Sequence, residues 1–251
     1  MSIPSIATFA YHRKKKIGSG NFGTVWRVYD PQLKGEFAAK EIPLNSFDDD
    51  DLDDLHAEAA KMHASRCPHV VPVRVGGTND DENLVFMMPL YEGSLEDLIK
   101  DAPLSPVHSL QVMSDVLLGL ATIHGADIIH FDIKPSNVLL DDKGRAVIGD
   151  FGQARRIRRN SSHADLPGLY HFTKPPESIT SFTGSRLADV YHCGVTLYRT
   201  LNGNPWYYEQ RNGYSLLTDA GVARLNRDIQ KGKFPDTKRY LPHVPPQLRR
   251  I

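Results

Sequence analysis

The chain has 251 residues, and the 40% that are hydrophobic can build one large domain or two small lobes, each with its own core. Thirty basic and thirty acidic side chains cancel, so no net field favours nucleic acid or an anionic membrane, and neither is expected as a partner. Cys67 and Cys193 lie far apart, which argues against a disulfide framework and for a reducing compartment. The N-terminus lacks the layout of a secretory signal, and no apolar run reaches the ~20 residues of a membrane span. The expectation is a soluble intracellular protein, in the cytoplasm, of unread oligomeric state.

In chain order, residues 22–29 and 37–42 are rich in β-branched and aromatic residues, and Asp30-Pro31 and Lys34-Gly35 split them into two strands. Residues 48–65 turn helical: an acidic first turn suits the helix dipole, and Leu52, Leu55, Ala59 and Met62 recur at helical spacing. Apolar runs follow at 70–75 and 84–88. From Gly93 onward helices dominate, first 94–100 and then 106–126, with Pro106 at a first helical position and Gly125 near the end. Strands followed by helices predict an α+β molecule in two lobes, joined near residues 88–92.

Gly18-Ser19-Gly20-Asn21-Phe22-Gly23 is a G-x-G-x-x-G. Alone it serves plain turns as well as phosphates. A dinucleotide-binding loop must run into a helix, whereas Thr24-Val25-Trp26-Arg27 is strand-like, so these glycines sit at a hairpin. Without side chains in the way, such a hairpin can bring backbone close to phosphate oxygens. Lys40 lies inside the apolar strand Ala38-Ala39-Lys40-Glu41-Ile42. Taken alone it reads as an edge lysine facing water. As a phosphate-gripping cation it needs a carboxylate, which Glu58 on the periodic helix can supply.

The most specific signal is His130-Phe131-Asp132-Ile133-Lys134-Pro135-Ser136-Asn137, followed by Asp150-Phe151-Gly152. With the glycine loop, the strand lysine, the helix glutamate and the later Pro176-Glu177, the order resembles the eukaryotic-type protein kinase family over almost the whole chain. The resemblance implies the bilobal protein kinase fold, with a small antiparallel-sheet lobe carrying one helix over 1–89 and a larger, mostly helical lobe over 90–251. It implies ATP and Mg²⁺ as cofactors and a protein substrate with a serine or threonine acceptor. Asp132 would be the base that orients the incoming hydroxyl, and Lys134 would neutralise the γ-phosphate. Asn137 and Asp150 would be hard oxygen ligands for Mg²⁺, and Lys40 paired with Glu58 would hold the α- and β-phosphates. The glycine loop with Ile17 before it would cover the nucleotide. Met87 would stand at the back of the adenine pocket, Met88 to Leu90 would form the hinge, and Val25, Ala38 and Leu139 would sandwich the purine. Asp189 resembles the buried aspartate that braces the catalytic loop, and His130 reads as a packing residue.

Three features depart from the family pattern. Phe131 stands where an arginine usually precedes the catalytic aspartate, and that arginine normally pairs with a phosphorylated activation loop. Arg155, Arg156, Arg158 and Arg159 beside Ser161 and Ser162 read as a solvated basic loop, or else as a patch for an acidic partner, an acidic substrate or phosphorylated serines. Lys174-Pro175-Pro176-Glu177 replaces the usual Ala-Pro-Glu, and the chain stops early for the family, as a truncated or shortened form would. Two rivals share the fold: a pseudokinase scaffold, which would not turn over ATP, and a small-molecule phosphotransferase, which would prefer aminoglycoside acceptors.

Overall fold

The computed structural model describes residues 10–20, 23–43, 61, 64–73, 75–81, 83–157, 160–167, 174–203, 218–233 and 242–248. Two compact units divide the chain. One holds residues up to Arg66 together with Val70–Tyr91, and the other holds Cys67–His69 and Glu92–Ile251.

The first unit is an antiparallel sheet. Its strands are β1 (His12–Gly20), β2 (Gly23–Asp30), β3 (Gly35–Pro43), β4 (Val75–Thr78) and β5 (Asn83–Pro89), in the order β1-β2-β3-β5-β4. β1 and β2 form a hairpin that closes on Gly20↔Gly23. At Gly23 φ is +143°, and a Cβ there would stand 2.2 Å from the carbonyl oxygen of Glu41, so only glycine fits. On one face Val28, Ala39, Val85 and Met87 form a buried cluster that Tyr11, Trp26 and Phe37 pack against. Glu41 shares that face and is bound by Tyr11 and Arg13, whose guanidinium also reaches Asp81 and lies over the Trp26 ring. The run at 70–75 does not form one strand. Val70 and Val71 are buried, but the strand starts only at Val75. The helix expected over 48–65 lies almost wholly outside the described residues.

The second unit is mainly helical. A short strand β6 (Gly93–Ser94) leads into α1 (Leu95–Ile99), which is closed by a capping box: Ser94 Oγ accepts from Asp97 N–H, and Asp97 Oδ2 accepts from Ser94 N–H. Then α2 runs over Pro106–Gly125, with Ser105 Oγ capping His108 N–H, and its buried stripe contains Val112, Met113, Val116, Leu120 and Ile123. Small strands follow: β7 (Ile128–Ile129), β8 (Val138–Leu140), β9 (Ala146–Ile148), β10 (Arg155–Arg156), β11 (His163–Asp165) and β12 (Thr183–Ser185). They pair as β6-β8-β9, β10-β7 and β11-β12. Helix α3 (Leu187–Asn202) lies antiparallel to α2, since Leu104 N–H meets Thr200 O at one end and Arg186 meets His124 O at the other. Helix α4 covers Asp219–Gln230. His69 belongs to this unit through its carbonyl, which accepts Ile148 N–H at 2.9 Å. Among the described residues no helix is long and apolar enough to cross a membrane.

Candidate active site

The catalytic-loop residues are built around one buried carboxylate. Asp189, on the first turn of α3, is fully buried. Its oxygens accept Phe131 N–H at 2.7 Å, His130 N–H at 2.9 Å and His124 Nε2 at 2.8 Å. Burial pushes this carboxyl upward, but the bond from His124, the nearby His130 and His192 rings and the His130 amide outweigh it. The group therefore stays below the usual carboxylate value. These bonds hold Phe131 at φ +62°, a left-handed backbone that a bulky residue rarely adopts. The turn they enforce delivers the next residue, Asp132.

Asp132 is buried, and its Oδ2 accepts Lys134 Nζ at 2.7 Å and Asn137 Nδ2 at 2.9 Å. The same Asn137 amide also donates to the Asp132 carbonyl at 2.8 Å, and Asn137 N–H closes a one-turn helix on Lys134 O. Asp132, Lys134 and Asn137 are thus brought together. His130 is completely buried, with Nε2 3.1 Å from Gly149 O and Nδ1 3.3 Å from Asp132 N, and its ring meets Phe151 edge-on at 4.9 Å. Those contacts leave it a packing and bracing role, because no ring nitrogen is directed to the Asp132 carboxylate.

Asp150 follows Gly149, whose N–H donates to Asn137 O at 2.9 Å, so the two expected metal ligands sit on cross-linked segments. Asp150 is exposed and has φ +57°. With both Asn137 amide protons committed to Asp132, the amide oxygen has a single long contact among the described residues, 3.5 Å from Ser136 Oγ. One carboxylate and one amide oxygen suit Mg²⁺, which keeps water and takes phosphate oxygens. No cluster of three or more His, Cys, Asp or Glu fit for a metal occurs among the described residues.

In the sheet unit, strand register sorts the expected nucleotide residues. Lys40 is buried and lies opposite Val25 on β2 and Phe86 on β5, while Ala38 lies opposite Met88. Directly opposed residues share a face, so Val25, Ala38, Lys40, Phe86 and Met88 line one side. Met87 does not join them. It opposes Ala39 and packs in the Val28–Val85 cluster on the other face, so Phe86 and Met88, and not Met87, share the Lys40 side. The sequence signal was available, because strand alternation from Met88 excludes Met87, but it needed the register to be read. Leu90 follows β5 directly. Gly18, Ser19 and Gly20 end β1, and Ile17, 47% exposed, sits where the register slips between Lys16↔Trp26 and Gly18↔Val25. Asn21, Phe22 and Glu58 lie outside the described residues. In the second unit Leu139 pairs with Ser94 and Val147 in β8.

The basic loop is partly accounted for. Arg155 folds back on its own loop, donating to Ala154 O at 2.9 Å, while Arg156 is exposed, and Arg158 and Arg159 lie outside the described residues. Glu177 is exposed on the one-turn helix Pro176–Ile179, with no ion pair among the described residues.

Comparison with known proteins agrees with this arrangement. The family described as protein kinase domain matches residues 11–240. A probable serine/threonine-protein kinase of Dictyostelium discoideum is 34% identical over 228 residues, which are 90% of this chain and 44% of that protein. Serine/threonine-protein kinase PknL of Mycobacterium bovis is 31% identical over 243 residues, 95% of this chain and 58% of its own length. The dual specificity protein kinase shkB of Dictyostelium discoideum is 26% identical over 238 residues, at 90% and 35%. The chain therefore spans less than two thirds of each of these relatives. With 230 consecutive residues matched and the catalytic-loop geometry in place, the chain belongs to the protein kinase domain family and has its α+β fold.

Proposed function

We propose that this chain transfers the γ-phosphoryl group of ATP to serine or threonine hydroxyls of a protein substrate. The observation that carries the reading is the Asp132 carboxylate, fixed by Lys134 at 2.7 Å and by Asn137 at 2.9 Å through one oxygen. Among the described residues the second oxygen has no hydrogen-bond partner, which leaves it to take the acceptor hydroxyl. As the hydroxyl oxygen bonds to phosphorus and the bridging P–O bond to ADP breaks, the hydroxyl proton passes to Asp132. Phosphoryl transfer passes through a loose transition state, so positioning and charge do most of the work. Lys134 is close enough to Asp132 to share the acceptor site, and its cation opposes charge building on the transferring group. Lys40, supported by Glu58, would hold the α- and β-phosphates, and the Gly18–Gly23 hairpin would cover them. Asn137 and Asp150 are the residues that would hold Mg²⁺, which would supply positive charge against the phosphate oxygens.

A serine or threonine acceptor is supported by Lys134 within Asp132-Ile133-Lys134-Pro135-Ser136-Asn137 and by the names of two of the relatives. The test is phosphorylation of a degenerate peptide array containing serine, threonine and tyrosine acceptors, with Asp132→Asn as the control. The variant should lose at least about 10²-fold in kcat while its ATP affinity stays within about threefold of wild type. Wild-type turnover by Asp132→Asn would remove the assignment of the base, and transfer to tyrosine alone would remove the acceptor class.

A further inference from the structure

Phe131 does more than replace a cation. Its ring is completely buried with Ile129, Ala164 and Ala188, and Leu166 packs against the same cluster. Ala164 is the middle of β11 and pairs with Gly184 in the middle of β12. A Cβ on Gly184 would stand 2.6 Å from Phe131 Cε1 and 2.9 Å from Leu166 Cδ2, a distance side chains do not tolerate. The β11–β12 ribbon is thus laid directly on the Phe131 ring, and the glycine is what lets it come so close. Leu166 N–H, donated to Phe182 O at 2.9 Å, extends the ribbon past its last strand pair.

We propose that Phe131 and Gly184 are a matched pair of positioning residues, in which ring and missing side chain seat the ribbon and fix Asp132 with it. The coupling is covalent and short. Asp132 is the next residue after Phe131, and Asp189 holds the peptide on the N-terminal side of both. A ring pushed aside by its ribbon must turn a backbone that two carboxylate bonds hold in a left-handed conformation, or drag the Asp132 carboxylate off its mark. Displacements of about 1 Å can cost about 10²-fold in rate. Where a charged residue would hold this segment through a phosphate, here apolar contact holds it with no modification. The proposal rests on the kinase reading for its activity arm, and its structural arm stands apart from it.

The experiment uses the whole chain and four proteins: wild type, Gly184→Ala, Phe131→Leu and the double variant. Hydrogen exchange is followed at residues 163–166 and 183–185, with the amides of α2 as the internal reference. Gly184→Ala should speed exchange in the ribbon at least tenfold with α2 unchanged, lower kcat at least tenfold and leave ATP affinity within threefold. The double variant, in which a smaller side chain makes room for the new methyl, should recover both to within threefold of wild type. If Gly184→Ala does not fold, Phe131→Ala replaces it. By leaving a void beneath the ribbon, it should raise exchange there and not in α2. Unchanged exchange in Gly184→Ala, or a double variant no better than the single one, overturns the pairing. Wild-type protein that transfers no phosphate but shows the expected exchange pattern would overturn the kinase reading and leave the pairing standing.

Discussion

Glu41 in the sheet unit and Asp189 in the helical unit are both buried carboxylates, and the two are used in opposite ways. In the sheet unit Glu41 binds side chains: Tyr11 Oη at 2.6 Å and Arg13 through both oxygens at 2.7 and 2.8 Å. Its partners sit on the edge strand and just before it, and the Arg13 side chain is 37% exposed. In the helical unit Asp189 binds backbone beside the His124 ring, and the peptide it holds is that of the residue before Asp132. Side chains that lose a partner at an edge can turn to water. Buried amides in a fixed left-handed turn cannot, and each is left with its full desolvation cost. The same chemistry therefore staples an edge in one unit and sets reactive geometry in the other.

The largest effect expected from breaking this comparison is at Asp189. Asp189→Ala strands the His130 and Phe131 amides and the His124 ring in the interior. Removing one partner of a buried charged network costs about 3–5 kcal/mol. Urea denaturation should therefore give an unfolding free energy lower by that amount, and any protein that folds should lose at least 10²-fold in turnover. A stability change below about 1 kcal/mol would mean the loop is held by something else.

Acid gives the same test without changing the fold. The folded-state value of Asp189 lies below its ordinary one, so its stabilisation is complete above the unfolded carboxylate value of about 3.9. It is lost as pH falls through the folded value, where the native state must also take up the proton. The gap in urea midpoint between wild type and Asp189→Asn should shrink as pH falls below about pH 4. A gap independent of pH down to pH 3 would contradict the charged state assigned to Asp189.

Glu41→Gln should cost less, about 1–3 kcal/mol, because Tyr11 and Arg13 can re-pair with water and with Asp81. Turnover should stay within threefold. A tenfold loss of kcat with intact stability would show that the Tyr11–Arg13–Glu41 network reaches the Lys40 side of the sheet.

Much of this was legible in the sequence, for identifiable reasons. Helix α2 came out at 106–125 against an expected 106–126, because Pro106 and Gly125 mark its ends through backbone chemistry. The hairpin reading of the glycines held because strand-like residues follow them, and β2 begins at Gly23. Local chemistry fixes such features. What depends on pairing between distant strands was harder to see. Met87 and Met88 differ only in which face the pleat gives them, and that needs the register of β5 on β3. Phe131 could be read only as an arginine that is absent. Its positive role depends on Gly184, a contact that no pattern along the chain announces.

The smallest expected effect concerns the serines beside the basic loop. Ser161 Oγ bonds within its own turn, donating to His163 O and accepting His163 N–H, and Ser162 Oγ meets the His163 ring at 2.9 Å. Both serines are exposed. A phosphate on either would find no cation at position 131, where a charge-assisted bond would add about 1.5–3 kcal/mol. Arg155 and Arg156 could capture it nearby, yet capture there leaves the Phe131 ring and the Asp189 bonds as they are. Ser161→Ala with Ser162→Ala should thus change kcat by less than twofold, and phosphatase-treated wild type, checked by mass spectrometry, should match it. A loss of tenfold, about 1.4 kcal/mol of transition-state stabilisation, restored by re-phosphorylation, would mean that charge and not apolar packing seats this segment.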